Sequence, residues 1–217
     1  MRIFEDLYVY PWVSYEENNC NTIFIDGEVP CLIDPGHMRL FDHVLEGMAQ
    51  DRVNIEKVKL ILCTHGHPDH IEAIGRFDEE ILKGISIEEY AYLNDGYREL
   101  YLMTGCELPK KPFALFLKEG TIRLGNKRLR VISTPGHSPG SVSLYWEERR
   151  VLISGDTVFY LGVGRTDLFG GNLETLEKSI RKLLPLDIEY LIPGHGDMLK
   201  GRKGIQKNFK IILEEFF

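Results

Sequence analysis

Residues 58–70 read VKLILCTHGHPDH, and the rest of the chain is best read outward from them. The apolar run Val58–Leu62 has the composition of a buried strand. It stops at a cluster that holds three of the chain's seven histidines, His65, His67 and His70, together with Asp69. Imidazoles crowded this closely repel one another once protonated and lose solvation, whereas in the neutral form, with a carboxylate beside them, they can share a positive ion; a metal ion is the natural occupant. In an extended turn His65 and His67, two residues apart, reach toward the same side. Pro68 ends the strand, and Asp69 is expected to cap the helix that follows. Cys63 belongs to the strand and is read as core.

The same grammar recurs. LRVIS runs into TPGH at His137, VLIS into GD at Asp156, and EYLI into PGH at His195. A single histidine in TPGHSPGS or PGHG is equally a turn residue satisfied by its own loop. The coincidence of four strand ends, each delivering a metal-ligand type, favours ligation. Five histidines and two aspartates suffice for two ions sharing one carboxylate.

Apolar runs that end in polar or glycine signals (TIFIDG, CLIDPG, VKLILCTHG, LRVISTPG, SVSLYW, VLISGD, EYLIPGHG) alternate with helix-period stretches. The latter are MRLFDHVLEGMAQ, IEEYAYLNDGYRELYLM, NLETLEKSIRKLL and RKGIQKNFKIILEEFF, and the alternation predicts an α/β fold. GNK at 125–127 and EERR at 147–150 read as hairpin turns, so the sheets are expected to be mixed. No linker divides the chain, and residues 1–217 are read as one domain. The segment 104–120, TGCELPKKPFALFLKEG, is read as a surface loop over a site.

A formal charge of −7 disfavours wrapping a phosphate backbone, so no nucleic-acid partner is expected. MRIFEDLYVYPW carries acids early and no long apolar run, which predicts a cytoplasmic protein with no membrane partner. Cys20, Cys31, Cys63 and Cys106 form no C-x-x-C pair and are read as small buried hydrophobes. His37 and His43 are read as surface or helix histidines. IILEEFF at the C-terminus caps a core or meets another subunit, leaving the oligomeric state open.

The ordered series THGHPDH, TPGHSPGS, SGDTVF and PGHG resembles the metallo-β-lactamase superfamily, nearest its glyoxalase II (hydroxyacylglutathione hydrolase) and persulfide dioxygenase branches. It spans about residues 20–200. The resemblance implies an αβ/βα four-layer sandwich, two mixed β-sheets flanked by helices, with the metal site at one edge. It assigns His65, His67 and His137 to one metal ion, Asp69, His70 and His195 to a second, and Asp156 to both, with Asp69 and Asp156 taking part in catalysis. Asp34 in LIDPG matches a position that supports the site from behind, or is a strand-end turn residue.

Two divalent ions, with zinc expected ahead of iron or manganese, would carry +4 against −3 from Asp69, Asp156 and a bridging hydroxide, leaving the centre at a net charge of about +1 and attracting an anionic substrate. Such ions would make hydroxide available at neutral pH, and the expected reaction is hydrolysis of a small thioester, whose thiolate would leave without strong acid help. No G-x-S-x-G offers a serine nucleophile. Arg165 in GVGRTDLFGG matches a basic glutathione-holding position, and is either a substrate clamp or half of a structural ion pair. Asp167 and Gly196-Asp197 stand where glyoxalase II carries aromatics, and 22 residues follow His195, so the thiol carrier stays open. The alternative within the same resemblance is a mononuclear iron persulfide dioxygenase using His65, His137 and Asp156.

Overall fold

The computed structural model describes residues 1–14, 16–110 and 113–217. The first sheet is built from β1 (Arg2–Phe4), β2 (Leu7–Tyr10), β3 (Thr22–Ile25), β4 (Cys31–Ile33), β5 (Leu60–Leu62), β6 (Leu82–Ser86) and β7 (Leu115–Leu117), in that spatial order. β1 to β4 pair antiparallel, and β4 to β7 pair parallel. The second sheet contains β8 (Gly120–Leu124), β9 (Lys127–Ser133), β10 (Val142–Trp146) and β11 (Val151–Gly155). After a small ribbon, β12 (Val158–Phe159) with β13 (Gly162–Val163), β14 (Tyr190–Pro193) and β15 (Leu199–Lys200) complete it. Its order is β15-β14-β11-β10-β9-β8, with only β11 and β14 parallel. Both sheets are therefore mixed, as the two hairpins require: Leu124 pairs with Lys127 and Trp146 with Val151.

Side-chain alternation sorts the layers. Ile23, Ile25, Ile33, Leu60 and Leu62 face Val131, Val142, Leu144 and Ile153 of the other sheet in one buried cluster. The intervening Phe24, Leu32 and Ile61 point outward. There they meet α1 (Asp42–Gln50), α3 (Ile87–Asn94) and α4 (Arg98–Thr104), while the short α2 (Pro68–Ile71) lies between α1 and α3 in the chain. On the far side, Ile132, Tyr145, Leu152 and Leu191 pack on α5 (Leu173–Leu183) and α6 (Arg202–Glu215). Strands apolar on both faces are what two covering layers demand, and the four-layer αβ/βα sandwich is the result.

Several expectations need correction. Asp69 does not cap α2: His67 holds the cap position, Pro68 opens the helix and Asp69 lies inside its first turn. The stretch 87–103 is two helices, because the chain turns at Asp95-Gly96-Tyr97 and Tyr97 N–H bonds back to Tyr92 O. The segment 104–120 is not all loop. Leu115–Leu117 forms the edge strand β7, and Gly120 starts β8; Lys111 and Pro112 lie outside the described residues.

β4 and β5 run parallel, so Asp34 and the 63–70 segment leave the first sheet at the same end. β11 and β14 likewise deliver Asp156 and His195 together. The two sheets are laced here by Val142 N–H to Thr64 O (2.9 Å) and Asn21 N–H to Gly194 O (2.6 Å).

Candidate metal centre

At this end of the sandwich lies a cleft of 580 Å³, lined in part by His67, Asp69, His137, Asp156 and His195. His65 and His70 sit behind it, wholly buried. All seven residues that the motifs single out are thus brought together. His137 Nε2 lies 3.2 Å from His65 Nε2 and 2.9 Å from His67 Nδ1. His195 Nε2 lies 3.2 Å from His70 Nε2 and 3.3 Å from Asp69 Oδ2. Asp156 stands between the two groups, its Oδ2 3.5 Å from His137 Nε2 and 3.3 Å from His195 Nε2, its Oδ1 3.3 Å from His70 Nε2.

Three ring nitrogens facing one another cannot all be satisfied by one proton; a shared cation satisfies them together. Asp156 Oδ1 is also buried without a hydrogen bond among the described residues. Donor atoms of His65, His67 and His137, of His65, His70 and Asp156, and of Asp69, His70 and His195 fall within 4.8 Å inside each group. The residues fit divalent metal ions, and an all-imidazole and carboxylate set accepts zinc, iron or manganese.

Electrostatics point the same way. Burial and the neighbouring imidazoles hold His65 well below the ordinary histidine range, and burial beside His137 holds His67 at about 3. Both are neutral, the state in which imidazole ligates. Against the cost of burial, His195 and His70 keep Asp69 and Asp156 ionised far below the carboxylate range. Asp156 and Asp34 override burial to raise His70, and Asp156 and Asp69 override it to raise His195 to about 10. The carboxylates demand positive charge at this spot, and metal ions supply it more compactly than protons.

Three of the ring nitrogens that face away from the centre are held. His65 Nδ1 lies 3.1 Å from Thr64 Oγ1, His70 Nδ1 3.1 Å from Asp34 Oδ2, and His137 Nδ1 donates to Arg165 O at 2.7 Å. Such partners set ring orientation and tautomer. Asp34 also accepts from Thr64 N–H (2.8 Å) and Thr64 Oγ1 (2.7 Å), and it adopts φ 51°. Both expectations for Asp34 hold together: it ends a strand in a turn, and it supports the site.

Some contributors were not read from the sequence. Asn18 donates to Asp69 Oδ2 at 2.6 Å, and Asn21 donates to Pro193 O and Gly196 O (3.0 and 2.9 Å), steadying the His195 loop. Glu89 is wholly buried and accepts from Gly66 N–H, Gly140 N–H and Ser138 Oγ (2.7 Å each) and from Tyr97 OH (2.9 Å). It therefore ties the loop of His65 and His67 to the loop of His137. Its signal was available: Ser86 and Glu89 form S-x-x-E, with Ser86 capping α3. Arg165 lines the cleft, but its guanidinium is engaged two-pronged by Asp167 at 2.8 and 2.7 Å. Arg39 lines the cleft too and pairs with Glu17. His37 is buried rather than at the surface, whereas His43 lies in α1 as read. Of the cysteines, three are buried and Cys106 is half-exposed.

Residues 15–195 match the family model described as the metallo-beta-lactamase superfamily. The chain belongs to that superfamily. A Bacillus subtilis relative called "Probable metallo-hydrolase YqgX" is 37% identical over 81% of this chain and 84% of its own length. A Haemophilus influenzae relative, "Hydroxyacylglutathione hydrolase GloC", is 32% identical over 88% and 91%. Among solved structures, TTHA1623 in a di-iron-bound form is similar with a TM-score of 0.70 and 31% identity, covering 83% of this chain and 89% of that one. Superfamily membership and the clustered donors together describe a metal-dependent hydrolase type of centre. Among the described residues, no helix is long and apolar enough to cross a membrane.

Proposed function

We propose that this chain is a dinuclear metallohydrolase that cleaves a small anionic thioester of the hydroxyacylglutathione kind. The observation that carries the reading is the placing of Asp156 within 3.5 Å of ring nitrogens from two separate donor groups. In this reading His65, His67 and His137 hold one ion, Asp69, His70 and His195 hold the other, and Asp156 lies between them. Zinc is the first choice of metal, with iron or manganese as substitutes. When bound, such ions polarise a carbonyl and bring the pKa of water to around 7.

The remaining work falls to the chain. Asp69 and Asp156 set the charge balance, and the bond from Asn18 fixes the orientation of Asp69. Phe159, Val163, Leu168 and Leu100 wall the cleft with apolar surface that limits water beside the reacting acyl group. A thiol of pKa about 8.5 makes a leaving group that needs no strong acid, in keeping with a cleft without one assigned to that task. The Haemophilus influenzae relative, named for hydroxyacylglutathione hydrolysis, supports the thioester class. The net charge of −7 supports a small-molecule substrate over nucleic acid, and four free cysteines support a reducing, cytoplasmic setting.

Arg165 acts as the carboxylate clamp once a substrate carboxylate displaces Asp167. The test is steady-state hydrolysis of a matched pair of thioesters, one carboxylated and one uncharged, by the metal-loaded protein. Arg165→Ala is expected to raise KM about tenfold, ~1.4 kcal/mol, for the carboxylated member alone. An unchanged KM removes the clamp, and absence of thiol release from either removes the thioester reading. His65, His137 and Asp156 also form a compact face, with His137 Nε2 3.2 Å from His65 Nε2 and 3.5 Å from Asp156 Oδ2. That face favours the second reading, a mononuclear iron persulfide dioxygenase, which oxygen consumption with a persulfide would reveal.

A further inference from the structure

Beside the cleft, and separate from the seven residues above, His37, Glu72 and Cys106 bring a nitrogen, an oxygen and a sulfur within 4.8 Å of one another. His37 Nδ1 lies 2.9 Å from Glu72 Oε2, and Cys106 Sγ lies 3.6 Å from that same nitrogen. A thiol, imidazole and carboxylate arranged as a proton relay would use opposite nitrogens of the ring. Here both partners approach Nδ1, which can give one proton to only one of them. Three donors crowding one point is instead the arrangement of ligands around a cation. Zinc bonds of 2.0 to 2.3 Å place tetrahedral donors roughly 3.3 to 3.6 Å apart; the Cys106–His37 spacing of 3.6 Å matches this, and the hydrogen-bonded His37–Glu72 pair at 2.9 Å opens by about 0.4 Å to admit the ion.

The group is also held in advance. Glu72 Oε2 accepts from Met38 N–H (3.1 Å) and Oε1 from Glu107 N–H (3.2 Å), so the backbone beside each of the other two donors grips the carboxylate. Asn19 Oδ1 accepts from His37 N–H at 2.8 Å, which further anchors the imidazole-bearing residue. His37 and Glu72 are largely shielded, with side-chain exposures of 8% and 13%. Partners of this kind are what orients metal ligands elsewhere.

We propose that His37, Glu72 and Cys106 form a third metal site, for a zinc-like divalent ion, with one coordination position left over. On binding, the Cys106 thiol releases its proton to solvent, and the sulfur takes the place of a water on the ion. The ion would join the turn after β4, the residues just past α2 and the segment after α4. Leu100 and Thr104 of α4 line the cleft, as does His37 itself, so the site braces one wall of it.

Cobalt(II) offers a direct test on the full chain after stripping with a chelator. Thiolate ligation gives a near-ultraviolet charge-transfer band that imidazole and carboxylate ligands do not. Among the described residues Cys106 is the cysteine that falls in a cluster of potential ligands, and Cys20, Cys31 and Cys63 fall in none, so the band is expected to report Cys106. The expected result is one cobalt per chain beyond those held by the histidine and aspartate cluster, with the band lost in Cys106→Ser and in His37→Ala. The band should persist in Asp156→Ala, whose lesion lies in the other centre, which separates failure here from failure of the proposed function. Absence of the band in the unsubstituted chain, or its survival in Cys106→Ser, overturns the site and leaves a plain His37–Glu72 hydrogen bond.

Discussion

The orientation of several rings in the centre depends on residues outside the donor set. Glu89 is the clearest case: burial pushes its carboxyl up, while Ser138, Gly140, Tyr97 and Gly66 all donate to it. Glu89→Gln turns an amide NH₂ toward at least one of those donors. The expected result is a folded protein whose metal affinity falls roughly 10- to 100-fold, the scale for orienting partners, with kcat falling and KM little changed. Isothermal titration and steady-state rates check this, and unaltered affinity contradicts the role. The titrations give a second prediction, for the metal-free chain. Between pH 3 and 6.5 the unfolded state binds a proton that buried His67 refuses, so stability rises with pH. Between pH 6.5 and about 10, folded His195 keeps a proton that the unfolded state has lost, so stability falls. Denaturant midpoints should therefore peak near pH 6.5, and a steady rise through pH 9 contradicts the charge assignments.

At the scale of elements, strand ends position the chemistry, and close backbone approach keeps them there. Gly136, at φ 132°, precedes His137, and a Cβ at this position would collide with the backbone of Leu176 in α5. Gly136→Ala should therefore both strain the backbone and shift the His137 loop, costing stability by about 1 to 3 kcal/mol. Urea unfolding with metal titration checks it; wild-type values of both contradict it. The strand ends were legible because β-branched and leucine runs break into TPGH, GD and PGH, a local change of chemistry. The start of α2 was misread because Asp69 has the right residue type for a cap, yet its carboxylate turns instead to Asn18 and His195. The break after Asn94 was hidden because Tyr97 continues the helical period, but its hydroxyl is drawn inward to Glu89. No sequence period could place His37 against Cys106, 69 residues apart.

For the molecule as a whole, the two sheets each contribute half of the donor cluster, which is complete only because they lie face to face. His65, His67, Asp69 and His70 leave the first sheet, and His137, Asp156 and His195 leave the second. The apolar layer between the sheets, from Ile23 and Leu62 across to Val131 and Ile153, sets the distance between them. Fold and centre are thus one design problem, which explains why a run of motifs implied both, while Arg165 and its partner Asp167 form an exposed ion pair at the rim of the cleft. The central claim is that this centre holds two ions. Element-resolved mass spectrometry of the Cys106→Ser chain, purified without added metal and then saturated and desalted, counts them without the third site. The account predicts two divalent ions per chain; a single iron per chain, with no second ion taken up, contradicts it.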